Sequence, residues 1–106
     1  MLGNLNTLTC LAISGHGCGR VKSYPEVGSL PQLPSLTTLL LYDFRNLETL
    51  ECNEFLRLTS LQMLHVLSCK KLQNMAGEKL PSSLLQLQIE QCPLLGEYCK
   101  NKHQHI

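Results

Sequence analysis

The sequence predicts an α/β solenoid: a curved parallel β-sheet whose strands are joined by mostly irregular returns on the convex side. Three observations predict it. Between Leu58 and Met75, apolar residues fall at Leu58, Leu61, Leu64, Val66, Cys69, Leu72 and Met75. The steps are threes with a single two, which fits neither a 3.6-residue helical period nor a long alternating strand. The same spacing returns three more times, and the marker leucines Leu11, Leu39, Leu64 and Leu87 lie 28, 25 and 23 residues apart. Finally, the chain has 24 Leu against three Val and three Ile, whereas a conventional sheet favours β-branched residues.

Each coil follows from this pattern. In the third, Met63 to Leu67 reads as a short strand with Leu64 and Val66 pointing the same way, and the flanking chain turns with one apolar residue in three. The period and the L-x-x-L-x-L-x-x-C spacing are those of a leucine-rich repeat. One coil cannot bury its leucines alone, whereas stacking Leu39 over Leu64 over Leu87 gives a continuous ladder that excludes water. The first coil places a strand at Cys10–Ser14, after Leu5 and Leu8. The run G-H-G-C-G (Gly15–Gly19) then interrupts the pattern. It lacks the spacing of a phosphate loop, and Pro25, Pro31 and Pro34 exclude a long helix after it, so it reads as a loop insertion. S-L-P-Q-L-P-S-L leads into a second strand at Thr38–Tyr42. Asn46 to Arg57 forms the outer return, with a helical turn at Asn53–Leu56. After the third coil, Ala76–Lys79 loops out, and L-P-S-S-L (Leu80–Leu84) leads into a last strand at Gln86–Glu90. Repeats are expected over 1–99 and a polar, frayed tail over 100–106.

With 106 residues there is room for one domain, and a net charge of +1 gives no reason to expect nucleic acid or an anionic membrane as the main partner. Six cysteines could indicate a disulfide scaffold. Cys69 and Cys92, however, fall where the repeat turns inward, a position for a small buried hydrophobe. Without a visible secretory signal or membrane-length apolar run, reduced thiols and an intracellular, cytoplasmic location are expected.

Candidate sites come from the columns that cross the strands. One is Ala12, Leu40, His65 and Gln88; the next is Ser14, Tyr42, Leu67 and Glu90; a third is Gly15, Asp43, Ser68 and Gln91. These residues should face away from the core on the concave side. Leu40, Tyr42, His65, Leu67 and Gln88, bounded by Asp43 and Glu90, form the candidate partner-binding patch, because exposed aromatic and apolar groups off the core mark contact surfaces. The competing reading is an ordinary solvated face. Cys99, His103 and His105, with His16 beside Cys18, lack the paired ligand arms of a zinc site, and no C-x-x-C occurs. Glu48, Glu51 and Glu54 are spaced like a solvated outer face. No nucleophile, base and orienting group converge, so neither an enzyme nor a cofactor is expected.

The run E-F-L-R-L-T-S-L-Q-M-L-H-V-L-S-C-K-K-L-Q-N-M, then L-P-S-S-L and I-E-Q-C-P-L-L, resembles the C-terminal end of the repeat region in plant disease-resistance proteins. The resemblance is to the nucleotide-binding, leucine-rich-repeat type, particularly its coiled-coil subgroup. The resemblance covers residues 29–102 and, more loosely, the first coil. It implies a protein-recognition module of innate immunity. Such a module senses a pathogen effector directly or through a guarded host protein, and restrains its receptor by contact with the nucleotide-binding domain. The chain departs from that family in having no Trp and no G-x-x-x-x-G-K-[ST], so the nucleotide switch is not carried over. It reads as a fragment holding the last coils. The alternative is a truncated structural remnant with no signalling of its own.

Overall fold

The computed structural model describes residues 7–16, 19–26, 28, 30–77 and 80–95. They form a parallel-strand β-solenoid. Four five-residue strands, β1 (Cys10–Ser14), β3 (Thr38–Tyr42), β5 (Met63–Leu67) and β7 (Gln86–Glu90), lie side by side in that order. Every pair is parallel and in register, with Leu11, Leu39, Leu64 and Leu87 in one row and Ile13, Leu41, Val66 and Ile89 in another. The four expected strands are found at the expected residues.

Packing explains this register. Leu39, Leu41, Leu64 and Val66 are fully buried, and further rows stack Leu36 on Leu61 and Leu84, and Leu47 on Leu72 and Leu95, all within the core. Each buried leucine is worth about 1.5–3 kcal/mol. A one-residue slip of any strand would turn its leucines onto the opposite face. The outer coils are less covered: Leu11, Ile13, Leu87 and Ile89 are only half-buried, because each end coil has described chain stacked on one side alone.

Tight turns set up β3, β5 and β7. Leu36 N–H donates to Leu33 O, Leu61 to Leu58 O and Leu84 to Pro81 O, at 3.0–3.2 Å. Hydroxyls then stitch one coil to the one before: Thr37 Oγ1 to Thr9 O, Ser60 Oγ to Pro34 O, and Ser83 Oγ to Leu61 O at 2.6 Å. Ser83 thus gives the L-P-S-S-L segment a physical role.

The strands end in a shared way. Asp43, Ser68 and Gln91 occupy the left-handed region at φ 59°, 59° and 56°. Gly15 N–H donates to Tyr42 O, Asp43 N–H to Leu67 O and Ser68 N–H to Glu90 O. At Gly15 a Cβ would lie 2.5 Å from the Phe44 Cα, so the first coil can close only with glycine there.

Two expectations change. The α part of the predicted class is not seen: the described residues hold no α-helix, and their helical segments, Cys52–Arg57 and Pro93–Leu95 among them, are 3-10. The first covers the expected helical turn at Asn53–Leu56 and buries Cys52 and Phe55. The return side is also more ordered than expected. It carries a second parallel sheet, β2 (Ser23–Tyr24), β4 (Thr49–Glu51) and β6 (Asn74–Ala76), in which Tyr24, Leu50 and Met75 are in register. Ala76 therefore ends a strand rather than opening a loop. Gly77 follows at φ 104°, beyond the reach of most side chains. Residues 78–79 and the tail 100–106 lie outside the described residues.

Candidate functional site

Strand alternation positions the candidate face. Along β3 and β5 burial alternates strictly, with Leu39 and Leu41, Leu64 and Val66 inward and fully buried. Their neighbours Leu40 and Tyr42, His65 and Leu67 are half-buried on the other side of the sheet. The predicted columns are the observed register: Ala12, Leu40, His65 and Gln88 align across the four strands, as do Ser14, Tyr42, Leu67 and Glu90. Asp43 lies just past β3, exposed, with its backbone held in the ladder to Leu67.

The face has an apolar middle and polar margins. Leu40 and Tyr42 on β3 lie beside His65 and Leu67 on β5. Small side chains, Ala12 and Ser14, flank them on β1; Gln88 and Glu90 flank them on β7. Two polar links tie the third coil to the fourth. His65 Nε2 lies 3.1 Å from Glu90 Oε1, and Ser68 Oγ donates to Gln91 Oε1 at 2.6 Å. Glu90 is 60% exposed, so the pair contributes little to stability.

Sequence reasoning missed one further column of the same face, Cys10, Thr38, Met63 and Gln86, which is in register at the start of the strands. The alternation that placed Leu40 outward also placed Thr38 outward, so the signal was present. Met63 widens the apolar middle. Sequence reasoning also missed the His65–Glu90 pair, which runs diagonally, two residues along the neighbouring strand.

Other parts of the molecule offer less. A shallow cleft of about 220 Å³ opens on the return side, lined by Leu56, Thr59, Leu80, Pro81, Ser82 and Ser83; it contains none of the candidate residues. Among the described residues no cluster of three or more His, Cys, Asp or Glu is placed to hold a metal ion, and no helix is long and apolar enough to cross a membrane. His16 is exposed, with its N–H on Ser14 Oγ; Cys18, Cys99, His103 and His105 lie outside the described residues. Cys52, Cys69 and Cys92 are buried and free, as expected for the latter two, and Cys10 is exposed. Burial, with the nearby Glu51 carboxylate, pushes the Cys52 thiol up to about 12.

No family model and no solved structure matches the chain. A candidate disease resistance protein of Arabidopsis thaliana is 36% identical to it over 96 residues, which is 91% of this chain and 6% of that protein. The chain thus spans a small part of the curated relative it matches. Homology over nearly all of its length, with a parallel solenoid built on leucine ladders, makes it a repeat region like that of a plant disease resistance protein.

Proposed function

We propose that the chain is the leucine-rich-repeat recognition module of an intracellular plant immune receptor of the nucleotide-binding type. In this reading it senses a pathogen effector or a guarded host protein through the sheet face, and it restrains the receptor by contact with the nucleotide-binding domain. It needs no cofactor and performs no catalysis. The observation that carries the reading is the half-buried row Leu40, Tyr42, Met63 and Leu67 on a sheet face that no other described element covers. Apolar and aromatic groups bounded by polar ones are the usual make-up of an interaction hot spot. The similarity to the Arabidopsis protein supplies the biological setting.

A second reading, a scaffold segment without recognition of its own, is favoured by the half-buried outer coils, which suit further stacking more than an independent module. The test is to place Tyr42→Ala together with His65→Ala in the intact receptor. Recognition by this face predicts loss of the effector response, or loss of restraint, at normal receptor abundance. An unchanged response and unchanged resting state at normal abundance would favour the scaffold reading.

A further inference from the structure

Cys69 and Cys92 are a pair built by the repeat. Each directly follows a left-handed residue, Ser68 and Gln91, which lie just past β5 and β7. The register of these strands puts the two cysteines at matching positions of adjoining coils. Parallel neighbours lie about 4.8 Å apart, inside the Cα window of about 4.4–6.8 Å that a disulfide spans. The sulfurs address the same short piece of backbone: Cys69 Sγ points to Leu67 O at 3.6 Å, and Cys92 Sγ lies 4.0 Å from Val66 O. Cys92 Sγ also donates to Glu90 O at 3.3 Å, the carbonyl two residues before it, just as Cys69 Sγ does to Leu67 O. Neither Cys10 nor Cys52 has a cysteine at the matching position of the adjoining described coil.

We propose that Cys69 and Cys92 form an oxidant-sensitive dithiol, a modification site at which hydrogen peroxide converts two buried thiols into a disulfide joining the third coil to the fourth.

The surroundings divide the labour. The Cys69 thiol beside it, the Cys69 backbone N–H and the Lys70 ammonium favour negative charge on Cys92 and together outweigh its burial. The neighbouring Cys92 thiol and burial oppose charge on Cys69. Cys92 is therefore the attacking sulfur, and it retains slight exposure, 5% against 0% for Cys69. Its thiolate attacks one peroxide oxygen, the O–O bond breaks, and the departing hydroxide takes a proton to leave as water. This gives a sulfenic acid on Cys92. Cys69 sulfur then attacks Cys92 sulfur, the S–O bond breaks, and the hydroxide leaves with the Cys69 proton as a second water. Two thiols are oxidised, and one peroxide is reduced to two waters. Cys52 is the built-in contrast: also buried, held protonated, and without a cysteine at the matching position of the adjoining described coil.

The experiment uses the full chain with Cys10, Cys18 and Cys99 changed to Ser, leaving the three buried thiols. The folded protein is exposed to dilute hydrogen peroxide, quenched with an alkylating reagent and mapped by mass spectrometry. The expected result is a Cys69–Cys92 cross-link, a loss of two hydrogens reversed by dithiothreitol, forming at least about tenfold faster than any oxidation of Cys52. With Cys69→Ser added, Cys92 should accumulate as a sulfenic acid that dimedone captures. If that variant does not fold, the cross-link map of the parent decides alone. Oxidation of Cys52 as fast as the pair, modification of Cys92 that leaves Cys69 free, or pairing seen only in denaturant would each overturn the proposal.

Discussion

Glu90 reaches back across the sheet to His65, its Oε1 3.1 Å from the imidazole Nε2, although the register sets His65 opposite Gln88. The contact is diagonal, between the third coil and the fourth, on the outer face. With Glu90 mostly exposed, charge and desolvation terms are both small, so a double-mutant cycle of His65→Ala and Glu90→Ala should give a coupling of about 0–0.5 kcal/mol. Urea denaturation of the four proteins measures it. A coupling above about 2 kcal/mol would mean that the pair is far drier than its exposure indicates.

The core makes a sharper prediction. Leu64 lies at the centre of its row between Leu39 and Leu87, fully buried, whereas Leu87 is half-buried in an end coil. Leu64→Ala should cost about 2–5 kcal/mol, and Leu87→Ala clearly less, because part of its side chain already meets water. Equal losses in denaturation would show that the fourth coil is covered as fully as the third.

The turn column supports a backbone prediction. Gly15→Ala places a methyl group 2.5 Å from the Phe44 Cα and 2.7 Å from Asp43 O, so backbone must move, and destabilisation of about 2 kcal/mol or more is expected. Asp43→Gly acts at the matching position of the next coil, where φ is 59°. Left-handed backbone costs an L-residue roughly 1–2 kcal/mol and glycine almost nothing, partly offset by glycine's greater freedom when unfolded. That variant should be neutral or slightly more stable. Thermal melts of both check the contrast.

The four long strands were legible because each is marked by an inward leucine two residues from a second inward residue, as in Leu39 with Leu41 and Leu64 with Val66. The intervals of 28, 25 and 23 then fix their stacking. The second sheet was not legible. Its strands are two or three residues long; β4 and β6 bury one side chain each, Leu50 and Met75, and β2 only half-buries Tyr24, so no alternation can appear. Their order is inherited from the strands across the coil. The outward columns could be read off because period-two alternation has only two answers. The diagonal His65–Glu90 contact could not, since it depends on side-chain reach and twist rather than register. The left-handed turns at Ser68 and Gln91 carry residues with no preference for that conformation, so composition gave no warning.

Cys52 supplies a pH dependence. Its thiol is pushed up to about 12, from an ordinary value near 9.0, mainly by burial. A raised folded-state pKa means that the unfolded chain ionises first. The contribution to stability is therefore complete below about pH 9 and is lost as pH rises toward 12, at up to about 1.4 kcal/mol per pH unit. The stability difference between the protein and its Cys52→Ala variant should shrink over that window and stay constant between pH 6 and 8. A constant difference up to pH 11 would show that Cys52 ionises in the folded state.

The face itself is tested by separating binding from folding. Leu67 is half-buried on the outer side of β5, in the row of Tyr42 and Glu90, while Leu64, three residues earlier, is core. Leu67→Asp puts a carboxylate into the apolar middle without opening a cavity beneath the sheet. It should cost about 1 kcal/mol of stability or less, since its outward neighbours leave the new charge in contact with water. If this row meets a partner in a packed interface, the same change should weaken binding by 2 kcal/mol or more, through desolvation of an unpaired charge. Leu64→Ala should reverse the balance, with a large loss of stability and a loss of binding that follows the unfolded fraction. Measured in the intact receptor with its cognate effector, full binding by a folded Leu67→Asp variant would remove this row from the recognition surface, whatever the stability of the two proteins.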